Sequence, residues 1–266
     1  MKTKLIVLSS LVASTVSAQI EIVETATSVN QMPLSGVYTQ NFDSLTGTGS
    51  WWTENITLRG WYATEETLGI SGGQFQGVTS IGSASGLDRA LGAKGGDGRT
   101  ELFAVRFANA TSLTLTGLSV AFDGEQWYRN PSITPRSSTL RFEYQIFDAG
   151  AGYEYKSTGW VSVPGLDFIS PNAALTTAEN LDGNAPENSV RDIQALIDGV
   201  SIAPTQEIWL RWVSYGVALG IPVHGQGIDN LSVSFITVIP EPAAYTGLAG
   251  LGALGLTLSR RRARLG

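Results

Sequence analysis

Cysteine is absent from the 266-residue chain, which excludes a disulfide framework, a thiolate metal site and a cysteine nucleophile. Histidine occurs once, as His224, so metal centres built from several imidazoles are excluded too. Charged residues make up only 15% and form no long block of one sign, which argues against a coiled coil or a wholly disordered chain. There is no phosphate-binding loop, no zinc spacing and no Gly-x-Ser-x-Gly elbow. What the chain does have is 42% apolar residues, 31 glycines and seven tryptophans. That composition suits one globular body of many short segments and tight turns.

Both ends read as addresses. Lys2 and Lys4 precede an uncharged stretch, residues 5–16, and Val16, Ser17 and Ala18 put small residues where a signal peptidase cuts. Residues 1–18 are therefore expected to be a cleavable secretory signal peptide, with the mature chain starting at Gln19. At the other end Pro240, Glu241 and Pro242 lead into an uncharged run, residues 243–259, closed by Arg260, Arg261, Arg262 and Arg264. The run is expected to form a single transmembrane helix, reaching about 25 Å at 1.5 Å per residue, with the arginines on the cytoplasmic side.

The Pro-Glu-Pro motif, the apolar run and the arginine-rich end, in that order, resemble the bacterial PEP-CTERM sorting signal over residues 238–266. The resemblance implies processing by an exosortase-type enzyme at the membrane, transient membrane anchoring, and display at the cell surface or in an extracellular matrix associated with exopolysaccharide.

Residues 19–237 form the expected ectodomain. Without Lys2, Lys4 and the four terminal arginines, the 17 basic residues of the chain fall to 11; without Glu241, the 23 acidic residues fall to 22, so the body carries about −11. A body of that charge repels phosphate backbones, and nucleic acid is not an expected partner.

Period-two alternation dominates this body. Leu140, Phe142, Tyr144 and Ile146 share one face of a strand, and Arg141, Glu143 and Gln145 the other. Phe103, Val105 and Phe107 repeat the pattern, as do Ile208, Leu210 and Trp212, and Leu231, Val233 and Phe235. Leu113 and Leu115, then Leu118, Val120 and Phe122, alternate with a shift at Gly117 that a bulge would cause. Only residues 188–197 hint at a helical turn. Many short strands with one apolar face each predict an all-β, jelly-roll-like two-sheet sandwich, with an immunoglobulin-like sandwich as the alternative.

Phe42-Asp43, Gly60-Trp61-Tyr62, Asp88-Arg89, Gly124-Glu125-Gln126-Trp127, Trp209-Leu210-Arg211-Trp212 and Ile228-Asp229-Asn230-Leu231 are similar, in order, to an all-β module of no assigned activity found in many PEP-CTERM surface proteins. The aspartate-rich segment usual before the histidine is replaced here by Val213, Ser214, Tyr215, Gly216, Val217 and Ala218.

Three sets of residues are candidates for function. Asp43 near the first strand and Asp229 in the last are possible ligands of a structural calcium ion, against the alternative that both are turn residues. Trp127, Tyr128 and Trp209 are candidates for stacking on a sugar ring, since Trp127 and Tyr128 lie beside turn residues and Trp209 faces away from Trp212; burial is the competing reading for each. His224 is the sole imidazole base, and in a glycine-flanked loop it reads rather as a local hydrogen-bonding residue. The expected function is a non-catalytic surface or matrix protein associated with polysaccharide or adhesion. A carbohydrate-binding module using exposed tryptophans is the alternative, and a glycoside hydrolase the third reading.

Overall fold

Alternation is carried through into the structure, a computed structural model that describes residues 19–47, 49–64, 67–71, 77–82, 87–96, 98–131, 136–150, 154–173, 177–216 and 223–237. The chain parts into two units, Met1–Ile236 and Thr237–Gly266. Apart from Thr237 the second unit lies outside the described residues, as does the expected signal peptide, residues 1–18.

The strands of the first unit, numbered along the chain, form two sheets. One runs β12 (Val161–Ser162), β11 (Thr139–Phe147), β16 (Glu207–Ser214), β9 (Glu101–Asn109), β1 (Ile20–Val23), β2 (Gln31–Pro33), with β13 (Phe168–Ile169) also on β11 and β5 (Trp61–Ala63) also on β9. The other runs β14 (Glu179–Asn180), β10 (Leu115–Arg129), β17 (Gly225–Thr237), β8 (Ala90–Lys94), β7 (Gly77–Ile81), β6 (Thr67–Ser71), β4 (Ser50–Trp51), with β15 (Ser189–Ile202) on β10 and β3 (Tyr38–Gln40) on β17. Strands β9, β11 and β16 belong to the first sheet and β10, β15 and β17 to the second. These six long strands thus change sheets at every step along the chain, as in a jelly roll.

The core lies between the inner faces. Strand β16 sends Ile208, Leu210 and Trp212 into it, where they meet Phe103, Val105 and Phe107 of β9, Phe142 of β11 and Phe122 of β10. Trp212 sits at the centre, stacked on Trp61 at 5.9 Å and Phe103 at 5.7 Å, with the rings of Phe122 and Phe142 edge-on at 5.6 and 5.2 Å. Full burial of such side chains contributes about 1.5–3 kcal/mol each, which a body without disulfides needs from its apolar faces.

The helical turn expected over residues 188–197 is corrected. Only a short 3₁₀ turn, Pro186–Asn188, precedes strand β15. The pairing of β15 with β10 is interrupted twice, between Phe122 and Gly124 and between Leu115 and Gly117. On the β15 side those breaks contain Asp192 (φ 55°) and Gly199 (φ 68°). They break the period-two pattern, so that Ile197, Val200 and Ile202 all turn inward; the four- and three-residue spacing of Ile193, Ile197 and Val200 mimics a helix. The register break foreseen at Gly117 is present, and the extra residues belong to β15. A Cβ on Gly199 would meet nothing within 4 Å. Gly199→Ala is therefore expected to cost about 1 kcal/mol through backbone strain alone, read as a lower denaturant midpoint with unchanged slope.

The transmembrane helix expected over residues 243–259 is not upheld. The segment lies outside the described residues, and among those residues no helix is long and apolar enough to cross a membrane. Anchoring through such a helix, and the membrane as a partner and location, fall with it. Gly247, Gly250, Gly252 and Gly255 interrupt that run, each weakening a helix by about 1 kcal/mol.

Candidate functional site

The outer face of the first sheet is not bare. Alternation puts Trp209, Arg211 and Val213 of β16 there with Leu102, Ala104 and Arg106 of β9, and the segment after β11 folds back over them. Tyr155, in the 3₁₀ turn Glu154–Lys156, places its hydroxyl 2.7 Å from Glu54 Oε1 and 2.8 Å from the Ala63 carbonyl, one proton facing two acceptors. Its ring stacks on Trp209 at 6.0 Å, while Tyr62 approaches Trp209 at 4.6 Å. Glu54 also takes the Trp52 indole N–H at 3.2 Å, and burial pushes its carboxyl above the ordinary range against these hydrogen bonds.

Beside this cover a groove of about 540 Å³ remains open, within the size range of small-ligand sites. Its polar floor is set by strand register: Glu143 of β11 pairs directly with Arg211 of β16. Arg211 Nε and Nη2 both donate to Glu143 Oε2, at 2.8 and 2.6 Å, and Nη1 donates to the Tyr155 carbonyl at 2.7 Å. The Tyr215 hydroxyl donates to Glu143 Oε1 at 2.8 Å; burial and this anion together raise its pKa. Trp160 closes one wall, with the Arg211 guanidinium 3.9 Å from its ring centre and Phe147 edge-on at 6.1 Å. Gly159, at φ 91°, brings the chain into that wall from Thr158. Tyr215 is 38% exposed, and Lys156 and Thr158 stand at the exposed rim.

The residues singled out for sugar stacking do not form this site. Trp127, Tyr128 and Trp209 are 2%, 3% and 0% exposed. Trp127 donates to Glu125 at 2.9 Å and packs so tightly on Gly183 that a Cβ there would lie 2.2 Å from its indole nitrogen. Tyr128 lies under Lys94, and Trp209 does face away from Trp212 but is roofed by the tyrosines. Aromatic rings buried on both faces cannot stack on a ligand. His224 is fully buried: its Nδ1 accepts from the Asn130 amide at 3.0 Å and its Nε2 meets the Arg136 carbonyl at 2.9 Å. With Nδ1 accepting, the neutral ring carries its proton on Nε2; burial lowers its pKa against the Arg136 hydrogen bond, and no proton-transfer role follows.

The charge of Asp43 is felt at Asp229. Asp229 is 4% exposed, its Oδ1 has no hydrogen-bond partner, and its pKa is pushed up to about 7 by burial first and then by Glu125, Asp88 and Asp43. Asp43 Oδ1 accepts from the Arg89 amide at 3.0 Å, and its Oδ2 from Asn41 at 2.5 Å. Among the described residues no three Asp, Glu, His or Cys side chains are grouped so as to hold a metal. Calcium takes six to eight oxygens, so Asp43 and Asp229 would need backbone carbonyls or amide oxygens beside them to hold it.

Neither Trp160 nor Tyr215 stands out in the sequence, because both flank β-strands in loops. The available signal was the outward face that Glu143 and Arg211, opposite in charge, each occupy on an alternating apolar–polar strand.

The sequence end gives a separate result. Residues 238–262 match the PEP-CTERM protein-sorting motif. The matched PEP-CTERM segment contains Pro240, Glu241, Pro242, Arg260, Arg261 and Arg262, all outside the described residues, as is Arg264. No curated protein matches the chain. Among solved structures, a carbohydrate-binding module described for specific mannan recognition, TmCBM27, aligns at TM-score 0.35 and 15% identity over 74% of this chain and 94% of its own. TmCBM61, solved with β-1,4-galactotriose, aligns at TM-score 0.27 and 10% identity over 76% and 90%. Likeness at this level leaves the ligand of this chain to be argued from its own residues.

Proposed function

We propose that the protein is an exported, non-catalytic carbohydrate-binding protein, and that the groove between Trp160 and Tyr215 is its saccharide site. The observation that carries the reading is an open groove with two aromatic side chains held beside a fixed polar pair, Glu143 and Arg211. Such a combination suits a sugar, which presents apolar C–H faces and a ring of hydroxyls. The sorting motif supports export, where polysaccharide is available. A general matrix role without a defined ligand accounts less well for a polar network built this precisely under an open cleft. Hydrolysis is disfavoured because a glycosidase needs two carboxyl groups about 5–9 Å apart across the bond. Among the described lining residues Glu143 is the one carboxylate, and both its oxygens are already hydrogen-bonded.

A glycan array followed by affinity electrophoresis tests the reading. Trp160→Ala and Tyr215→Ala are each expected to weaken binding of the best ligand about tenfold or more, while Trp51→Ala is expected to change it less than about twofold. Trp51 is 73% exposed, on β4 of the other sheet. Equal loss in all three variants, or none in the groove variants, would place the site elsewhere.

A further inference from the structure

The groove offers more hydrogen-bond donors and positive charge than its own acceptors consume. Glu143, the one described carboxylate in the lining, has one oxygen taken by Arg211 and the other by Tyr215. Lys156 stands exposed at the rim, its ammonium 5.2 Å from the Tyr155 ring centre. Arg141, also exposed, lies 5.3 Å from the ring of Tyr215. Asp167 lies in the field of Arg141 and Glu54 in that of Lys156, but among the described residues neither cation closes an ion pair: Asp167 accepts the Phe142 amide at 2.9 Å, and Glu54 holds Tyr155 and Trp52. Ammonium and guanidinium groups donate hydrogen bonds and accept none. A carboxylate is their chemical complement, since it accepts only and carries the opposite charge.

We infer that the saccharide taken by this groove is acidic, a uronic-acid-containing polymer whose carboxylates meet Lys156 and Arg141. The inference rests on the reading of the groove as a saccharide site and names the ligand class for it. A body of about −11 repels a polyanion at long range. Screening confines that repulsion to about 8 Å at physiological salt, so contact with the two local cations decides binding.

Affinity electrophoresis of the full chain in polygalacturonate and in its carboxyl-reduced counterpart compares one backbone with and without charge; alginate and hyaluronan are compared in the same way. For at least one pair the acidic polymer is expected to bind about tenfold or more tighter, and this ratio is expected to shrink severalfold between about 50 and 300 mM salt. Lys156→Gln combined with Arg141→Gln is expected to bring the ratio to about one. Both positions are exposed, so an unchanged melting temperature separates loss of charge from loss of fold. Acidic and reduced polymers binding equally at every salt concentration, or a glycan array returning neutral ligands only, would overturn the acidic preference and leave the saccharide site standing. Binding of no glycan at all would overturn the site as well.

Discussion

Arg211→Met is expected to destabilise the protein by about 3–5 kcal/mol. The side chains of Arg211 and Glu143 are 9% and 8% exposed. Methionine fills most of the volume and donates nothing. Glu143 would then keep only the Tyr215 hydroxyl, and the Tyr155 carbonyl would lose the donor it has at 2.7 Å. The cost is that of leaving a buried charge unmatched, not the net worth of the pair. For the same reason the double variant Arg211→Met with Glu143→Leu is expected to recover most of the loss, because two apolar groups of similar size no longer require solvation. Urea unfolding measures both: the midpoint should drop in the single variant and return in the double, with the slope unchanged. A single variant costing under about 1 kcal/mol would show the pair to be solvated in the native state, and the groove floor would then not be preorganised.

Stability is expected to fall as pH rises from 4 to 8, and Asp229→Asn to remove much of that fall. The folded-state pKa of Asp229 is raised from 3.8 to about 7, by burial and then by Glu125, Asp88 and Asp43. A raised pKa means that the folded chain holds this proton more tightly than the unfolded one. The contribution is therefore fully present below the unfolded value near 4 and is lost as pH passes through about 7. The shift corresponds to a few kcal/mol at about 1.4 kcal/mol per unit. Arg191 offsets part of the local negative charge, since it pairs with Asp123 and Glu125 at 3.0 and 3.3 Å. Asparagine keeps the shape without the charge, so the variant should melt higher than the parent at pH 8 and about equally at pH 4. Measured with a chelator present, the comparison reads the proton alone; a parent melting temperature independent of pH across this range would show Asp229 to be charged throughout.

How much of this was readable beforehand depends on which forces act. The two-sheet architecture was legible because alternation on β9, β11, β16 and β17 marks, one residue at a time, which side chains face the opposite sheet. The core face of β16 could be assigned from Ile208, Leu210 and Trp212 without any partner being known. Strand β15 was not legible, because bulges at Asp192 and Gly199 break the period that identifies a strand, and a bulge is fixed by pairing with β10. The stacking residues misled for a related reason. Trp209 does occupy the outer face, as alternation requires, but whether an outer face meets solvent depends on what folds over it. Here that is Tyr155, held by Glu54 about a hundred residues earlier in the chain.

The amino-acid sequence alone determined which face of each regular strand is apolar, that no thiol or multi-histidine chemistry is available, and that the chain ends in a sorting motif. These are local properties, set by composition and by side-chain direction along an extended backbone. Tertiary structure decided that Trp127, Tyr128 and Trp209 are covered, that Asp229 shares its surroundings with other carboxylates, and that Trp160, Tyr215, Glu143 and Arg211 enclose one groove. Each of those depends on segments far apart in the chain being brought within a few ångströms, and neither burial nor electrostatic coupling exists until that distance is closed.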